Sequence, residues 1–171
     1  MKVVLIGYMG SGKSVIAKKL ASNLLVECLE LDNLIQNNSK MTIETIFSTK
    51  GELYFRKLEH ELFLEKMQSD ETFILSTGGG TPCYYNNHEL LKSDDCISIY
   101  LKASIATLYD RLLHSRTNRP LLASLSEAEL KEFIAKHLFE RSFYYNQAKH
   151  TIVVDNKTID EIVLEIKSLL A

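Results

Sequence analysis

A glycine-rich segment near the amino terminus constrains this chain more than any other feature. Residues 7–14 read GYMGSGKS, which fits the pattern G-x-x-x-x-G-K-[ST], and they directly follow the apolar run at residues 3–6. Apolar residues then recur at helical spacing between Ile16 and Leu24. A strand, a loop of this composition and a helix, in that order, form a P-loop. The segment therefore predicts a phosphate-binding loop at residues 7–14.

The residue types in the loop fit contacts with phosphate and with a metal ion. Its glycines allow backbone N–H groups to point inward around phosphate oxygens. Lys13 can then reach the β- and γ-phosphates of a nucleotide, and the Ser14 hydroxyl can ligate Mg²⁺. A P-loop alone serves kinases, GTPases and ATPases, so the acceptor of the phosphoryl group must be inferred from other residues.

Length and charge limit the classes of protein that this chain can belong to. Its 171 residues, 46% of them apolar, predict one globular domain spanning residues 1–171. The net charge of −2 gives no electrostatic basis for nucleic-acid or membrane partners. The three cysteines lack metal-ligand spacing, and the apolar run before Gly7 is too short for a signal peptide. We expect a cytoplasmic protein.

Short apolar runs alternate with amphipathic segments along the chain, which predicts a parallel sheet covered by helices on both faces. The predicted strands lie at residues 2–6, 26–31, 72–76, 97–101 and 151–154. The predicted helices lie near residues 13–24, 32–38, 42–48, 52–68, 85–93, 104–115, 126–148 and 158–170. Ser126 with Glu129, and Thr158 with Glu161, fit capping boxes that begin the last two helices.

Six of the seven glycines fall in two places, the P-loop and residues 78–80. The triplet follows the third predicted strand, at the sheet edge where ligands bind in α/β proteins. Three consecutive glycines can bring backbone amides against a ligand. The alternative is a plain tight turn closed by Thr81 and Pro82.

A carboxylate at Asp32 follows the second predicted strand, at the same edge of the sheet. It can orient or deprotonate an acceptor hydroxyl, or hold a metal ion through water. The alternative is a helix N-cap, which aspartate also favours. Glu30, two residues earlier, would point to the same side of an extended strand.

Only five arginines are present, against fifteen lysines, and their planar guanidinium groups suit bidentate contacts with phosphate or carboxylate. Arg111, Arg116 and Arg119 lie in or beside a segment that could form a lid, or they could interact with a helix dipole. Arg56 lies among charged residues and could make only surface ion pairs. Arg141 lies in an aromatic-rich helix whose rings we expect in the core.

Six of these segments, in order and at matching spacing, resemble the motifs of the shikimate kinases, small enzymes of the nucleoside-monophosphate-kinase structural group. The similarity extends over nearly all of the chain. The motifs are the glycine-rich loop with Met9, the acid after the second strand, F-R-x-x-E, G-G-G, R-P-L-L and R-x-x-x-Y, at residues 7–14, 32, 55–59, 78–80, 119–122 and 141–145.

The resemblance implies transfer of the γ-phosphoryl group of ATP to the 3-hydroxyl of shikimate, a step toward chorismate and the aromatic amino acids. It implies a three-layer α/β P-loop kinase fold, with a five-stranded parallel sheet, a substrate-binding helical region at about residues 32–62 and a mobile lid at about residues 111–125. Mg²⁺ is the expected cofactor. We expect a monomer that binds only small molecules.

The residue roles follow motif by motif. Asp32 would bind the acceptor hydroxyls and act as the base or beside it, Arg56 and Arg141 would grip the carboxylate, and the region of the Gly79 amide would line the ring. Arg119 would reach the phosphates when the lid closes.

The implied catalytic residues are Asp32, Lys13 and Arg119. The implied ATP-binding residues are Gly10, Ser11, Gly12, Lys13, Ser14, Val15 and Arg119. The implied substrate-binding residues are Asp32, Arg56, Gly78, Gly79, Gly80 and Arg141, and Ser14 is the metal ligand.

The chain departs from the family pattern in two places. Glu30 stands where many members have the first aspartate of D-x-D, which puts a metal role of this acid in doubt. Residues 155–157 match the adenine-contacting loop only loosely, so no contact is assigned there, and Arg111 is a candidate for lining the adenine.

Three other functions compete with this one. A gluconate- or adenylate-type kinase is disfavoured by the glycine triplet with Arg56 and Arg141. A regulatory GTPase needs N-K-x-D, and residues 156–160 contain one residue too many. A catalytically inactive relative is disfavoured because Lys13, Ser14 and Asp32 are all present, together with Arg119.

Overall fold

The P-loop follows the central strand of a five-stranded parallel sheet. The computed structural model of the protein describes residues 1–171, and its strands are arranged in the order β2-β3-β1-β4-β5. All four strand pairs are parallel, as the alternating pattern predicted. The strands are β1 (Lys2–Ile6), β2 (Glu27–Glu30), β3 (Phe73–Ser76), β4 (Cys96–Lys102) and β5 (His150–Val153).

The sequences of the strands explain their order in the sheet. Every residue of β1 and of β3 is buried, because these inner strands are covered on both faces and their apolar runs are continuous. Strand β2 lies at one edge of the sheet and mixes exposed and buried positions. Strand β5 forms the opposite edge and is partly exposed.

Eight helices flank the sheet, and α1 packs against α8 while α6 packs against α7. None of them combines the length and apolar character that crossing a membrane requires. They are α1 (Lys13–Leu24), α2 (Leu31–Ser39), α3 (Ile43–Thr49), α4 (Glu52–Gln68), α5 (Asn87–Leu90), α6 (Ile105–Ser115), α7 (Glu127–Tyr145) and α8 (Ile159–Leu170). Two 3₁₀ segments lie at Thr81–Cys83 and Arg116–Asn118.

The carboxyl ends of three neighbouring strands lie level with one another. Leu5 of β1 and Glu30 of β2 both pair with Ser76 of β3. The P-loop, Asp32 and the glycine triplet therefore leave the sheet side by side, and the parallel topology alone brings them to one edge.

The helix predicted at residues 85–93 is mostly irregular. The chain instead forms the 3₁₀ turn Thr81–Cys83 and the single helical turn α5. Tyr85 and Asn86 both have left-handed backbone angles, with φ of 50° and 57°, which a right-handed helix cannot contain. The prediction was wrong because amphipathic spacing gave no sign of these two residues.

Helix α8 begins with the predicted capping box. The Thr158 hydroxyl accepts from the Glu161 amide at 3.2 Å, and the Glu161 carboxylate accepts from the Thr158 amide at 2.7 Å. At α7 the Ser126 hydroxyl accepts from the Glu129 amide, but no return bond from Glu129 is present. The capping box predicted for α7 was therefore only half correct.

We expect the substitution Thr158→Ala to lower the free energy of unfolding by about 1 kcal/mol, because the cap of α8 is lost. Urea unfolding followed by circular dichroism measures this change. Glu161→Gln is the matched control and should cost less, since its amide oxygen can still accept from the Thr158 amide. Equal stability of Thr158→Ala and the unsubstituted protein would contradict the capping role.

Candidate active site

Lys13 lies inside the P-loop and not in solvent. Its ammonium donates to the Gly7 carbonyl at 2.7 Å and to the Tyr8 carbonyl at 3.0 Å. Burial lowers the pKa of Lys13 to about 7, Asp32 opposes the shift, and Arg141 and Arg119 add to it. The lysine is therefore held at the loop, where a nearby phosphate would raise its pKa again and favour the ammonium.

The loop opens onto the uncapped amino terminus of α1. Gly10 and Gly12 have φ of 82° and 96°, a region that other residues rarely adopt, so the turn requires glycine there. Gly12 occupies the N-cap position and supplies no side chain to the first N–H groups of the helix. Ser14 is half-buried in this first turn and Val15 is 52% exposed. Free N–H groups at a helix start form an anion site.

Asp32 lies in the first turn of α2, where the residue is exposed and its Oδ1 lies beside Gly78. The surrounding protein raises the pKa of the Asp32 carboxyl by desolvation, while Lys13 and Arg56 oppose the shift. The N-cap of α2 is Glu30, so the alternative interpretation of Asp32 as a cap was wrong.

Glu30 is half-buried and makes an ion pair with Lys18 of α1 at 3.0 Å. The second strand ends at Glu30, one residue earlier than predicted, because Leu31 is buried and already helical. The acid that departs from the family pattern is therefore engaged with a lysine of the first helix.

Arg56 is buried in α4, so the alternative interpretation, in which it makes only surface ion pairs, was wrong. Its guanidinium donates to Glu59 Oε1 at 2.9 Å and lies 4.1 Å from the centroid of the Tyr84 ring. Glu59 is fully buried and also accepts from the Thr81 hydroxyl at 2.8 Å. Burial raises the pKa of Glu59, and Arg56 opposes the shift. The two neighbours fix the orientation of the guanidinium.

The glycine triplet is where the candidate acceptor residues meet. A Cβ at Gly78 would lie 3.5 Å from Asp32 Oδ1, one at Gly79 would lie 3.1 Å from Arg141 Nη1, and one at Gly80 would lie 2.6 Å from Arg56 Nη2. None of the three glycines has a positive φ. Crowding, not backbone conformation, therefore disfavours a side chain here, most strongly at Gly80.

The triplet also forms a tight turn, which was the alternative interpretation of these glycines. The Thr81 amide donates to the Gly78 carbonyl at 3.2 Å. The two interpretations are compatible, since the turn carries the backbone between charged side chains that a Cβ would displace.

Arg141 reaches this edge from α7. Four residues further on, the Tyr145 hydroxyl donates to the Gly79 carbonyl at 2.6 Å, and Tyr145 is fully buried. The expectation of core rings on this helix holds for Tyr145 but was wrong for Phe139 and Phe143, which are 83% and 61% exposed. Neither ring faces the cleft edge that Arg141 and Tyr145 occupy, because 139 and 143 lie on another side of the helix.

Arg119 is half-buried between α6 and α7, and its Nε is buried without a hydrogen-bond partner. Its charge contributes to lowering the pKa of Lys13, after the larger effect of burial. Leu122, three residues further on, is fully buried in the core. An apolar side chain, that of Leu122, therefore anchors the segment around Arg119 in the core.

Arg111 and Arg116 differ from Arg119 in position. Arg111 is a residue of α6 and donates to the Gly10 carbonyl at 2.9 Å. Arg116 donates to the Leu125 carbonyl at 3.2 Å, and this bond links the two ends of the segment between α6 and α7. The predicted lid range of residues 111–125 thus begins within a helix.

Sequence reasoning missed three residues that contact this site. Tyr84 stacks on Arg56, the Tyr8 hydroxyl lies 3.0 Å from His137 Nδ1, and these contacts join distant parts of the chain. The only signal for Tyr84 was its position shortly after the glycine triplet, and for Tyr8 its position within the P-loop, whereas no motif includes His137.

The donors at the site suit Mg²⁺ better than a transition metal. No cluster of three or more histidine, cysteine, aspartate or glutamate side chains is positioned to hold a metal. The Ser14 hydroxyl next to a phosphate-binding loop is a hard oxygen donor, and Mg²⁺ prefers a few protein oxygens with phosphate and water. The residues present fit that ion.

Comparisons with known proteins agree on one family. A family model described as shikimate kinase matches residues 9–171. A shikimate kinase of Flavobacterium johnsoniae is 58% identical over 170 residues, with 99% of each chain covered. One of Flavobacterium psychrophilum is 52% identical over 169 residues, covering 99% of this chain and 98% of the relative.

Solved structures agree with these sequences. The crystal structure of a shikimate kinase from Bacteroides thetaiotaomicron superposes with a TM-score of 0.90 at 31% identity, covering 99% of this chain and 98% of that one. A shikimate kinase from Acinetobacter baumannii in complex with shikimate gives a TM-score of 0.86 at 29% identity, covering 99% and 92%. With a P-loop, a parallel sheet and these relatives, the chain belongs to the shikimate kinase family.

Proposed function

We propose that the residues at this sheet edge carry out the phosphorylation of shikimate, with the P-loop as donor side and the glycine triplet as acceptor side. The protein is an ATP-dependent phosphotransferase that converts shikimate to shikimate 3-phosphate. One observation supports the residue assignment above all. Three consecutive glycines face one carboxylate and two guanidinium groups, those of Asp32, Arg141 and Arg56.

Shikimate combines a ring carboxylate with neighbouring hydroxyl groups, and the acceptor side offers a partner for each. Arg56 and Arg141 can bind the carboxylate as a planar cation pair. Asp32 can accept from the ring hydroxyls. Gly78, Gly79 and Gly80 leave room for the ring against the backbone, because no side chain stands between these charged groups.

ATP binds on the donor side in this proposal. Backbone N–H groups of Gly10, Ser11 and Gly12 and the first turn of α1 at Ser14 and Val15 surround the phosphates. Ser11 supports the assignment, since its hydroxyl is buried and lacks a hydrogen-bond partner. Buried polar groups without a protein partner are rare and suit a ligand oxygen.

Lys13 and Arg119 stabilise the charge of the transferring phosphoryl group. Transfer has a loose transition state, and the enzyme acts mainly by positioning and by electrostatic stabilisation. The unpaired Nε of Arg119 can donate to a phosphate oxygen. Mg²⁺, held by Ser14 together with the phosphates, would neutralise negative charge on the β- and γ-phosphates.

Asp32 receives or orients the proton of the acceptor hydroxyl. Its raised pKa makes the carboxylate a better proton acceptor than an ordinary aspartate. Because the transition state is loose, orientation of the hydroxyl can matter as much as proton removal.

Two segments would support these residues. Residues 32–62 form a substrate-binding region in which α2, carrying Asp32, packs on α4, carrying Arg56. Residues 111–125 form the lid that brings Arg119 to the phosphates, with Leu122 holding it in the docked position. We propose a cytoplasmic monomer, since ATP is available there and every residue assigned to the site comes from one chain.

The activity is tested by coupling ADP release to a spectrophotometric signal in the presence of Mg²⁺. We expect turnover with shikimate and little with gluconate or AMP, because neither control presents a ring carboxylate with adjacent ring hydroxyls to Arg56, Arg141 and Asp32. Absence of shikimate-dependent ADP release would contradict the proposed function. Removal of Mg²⁺ with a chelator should abolish turnover.

Replacing Asp32 with Asn should lower kcat by a factor on the order of 10² to 10⁴, because the proton acceptor is lost while the shape is kept. Steady-state kinetics with shikimate as the varied substrate measures it. Asp94→Asn removes an exposed carboxylate just before β4, at the opposite end of the sheet from the P-loop, and serves as the control. Turnover of Asp32→Asn at the unsubstituted rate would disprove the role of Asp32.

A further inference from the structure

Three residues of α7 form a row along one side of the helix. His137, Arg141 and Tyr145 are spaced four residues apart, so their side chains leave the helix on the same face. Arg141 is the middle member and the candidate ligand of the substrate carboxylate. The two flanking residues each contact a different loop of the active site.

Tyr145, the carboxyl-terminal member of the row, contacts the glycine triplet. The Tyr145 hydroxyl donates to the Gly79 carbonyl at 2.6 Å, and the same glycine lies against Arg141. This contact fixes one end of the row relative to the acceptor side of the site.

His137, the amino-terminal member of the row, contacts the P-loop. Tyr8 Oη lies 3.0 Å from His137 Nδ1, and the two rings meet edge to face with centroids 5.5 Å apart. Phe133, one turn earlier, packs against the imidazole with ring centroids 5.0 Å apart. Burial raises the pKa of Tyr8 to about 12 and lowers that of His137 to about 4. Both groups are therefore neutral at pH 7, and the contact is a hydrogen bond, not an ion pair.

Tyr8 contacts both halves of the site through different atoms. Its carbonyl accepts from the Lys13 ammonium at 3.0 Å and from the Ser11 amide at 3.1 Å. Its ring, only 1% exposed, lies 5.8 Å from the guanidinium carbon of Arg141. The hydroxyl, bound to His137, determines how the ring sits beneath that guanidinium.

We propose that Tyr8 and His137 are positioning residues, whose hydrogen bond sets the place of Arg141 relative to the P-loop and so contributes to shikimate binding. The inference rests on the proposed function. Arg141 is half-buried, and an arginine head group loses affinity for a carboxylate when its orientation is not fixed, because the bidentate geometry is directional. His137 fixes the helix that carries Arg141, and Tyr8 supports the guanidinium face.

The decisive experiment measures two dissociation constants by titration calorimetry, that of shikimate and that of ADP with Mg²⁺, for the unsubstituted protein and for Tyr8→Phe. The phenylalanine keeps the ring beneath Arg141 and removes only the hydroxyl. We expect the dissociation constant of shikimate to rise about fivefold, which corresponds to the loss of one hydrogen bond. The ADP constant should change less than about twofold, because the backbone of the loop is unaltered.

Variants at His137 test whether the two residues act as a unit. His137→Leu should weaken shikimate binding as Tyr8→Phe does, and His137→Asn, which places an amide atom near the position of Nδ1, should recover part of the loss. The double variant Tyr8→Phe/His137→Leu should lose no more than either single variant, since one contact cannot be removed twice. Tyr109→Phe, which alters a half-buried tyrosine of α6 with no hydrogen bond at its hydroxyl, is the matched control.

The possible results distinguish the positioning role of Tyr8 and His137 from the proposed function. Unchanged shikimate binding in Tyr8→Phe overturns the positioning role and leaves the proposed function standing. Equal weakening of shikimate and ADP also overturns it, since this would show a general distortion of the loop. Additive losses in the double variant would contradict a shared contact. An unsubstituted protein that fails to bind shikimate would overturn the proposed function itself.

Discussion

The close approach of charged side chains to the backbone of residues 78–80 is the constraint on which the site depends. Arg56 lies so near Gly80 that a Cβ there would be 2.6 Å from its guanidinium. Arg56 is held in turn by Glu59 and by the Tyr84 ring. A Cβ at Gly80 would force the Arg56 guanidinium to move, and one at Gly79 would crowd the guanidinium of Arg141. The glycines thus let the backbone of a turn lie close to the residues that we propose bind the substrate.

Charge balance explains why these groups can be held in one place. Arg56 and Glu59 form a buried pair, and removing one partner of such a pair typically costs about 3–5 kcal/mol because the other charge is left uncompensated. The other oxygen of the Glu59 carboxylate, Oε2, accepts from the Thr81 hydroxyl, next to the triplet. On the donor side Lys13 is satisfied by loop carbonyls. Arg56 and Lys13 are therefore oriented by the protein alone, which lowers the cost of ordering them around a ligand.

The sequence predicted the sheet, its parallel direction and the sheet edge that carries the site, because P-loop, acid and triplet all follow apolar runs. It did not predict how the site is packed. Arg56 is surrounded by charged neighbours in the chain, yet it is buried, since its burial comes from α4 facing the triplet. The Tyr8–His137 contact joins residues 129 positions apart, and spacing carries no information about it. The irregular stretch around Tyr85 and Asn86 depends on two left-handed residues that periodicity does not reveal.

We propose that shikimate binds against residues 78–80 between Arg56, Arg141 and Asp32. A crystal structure of the protein with shikimate would show this placement. We expect the ring carboxylate within hydrogen-bonding distance of both guanidinium groups and a ring hydroxyl on the Asp32 carboxylate, facing Lys13. Shikimate bound elsewhere, or with its carboxylate turned away from both arginines, would contradict the proposed site.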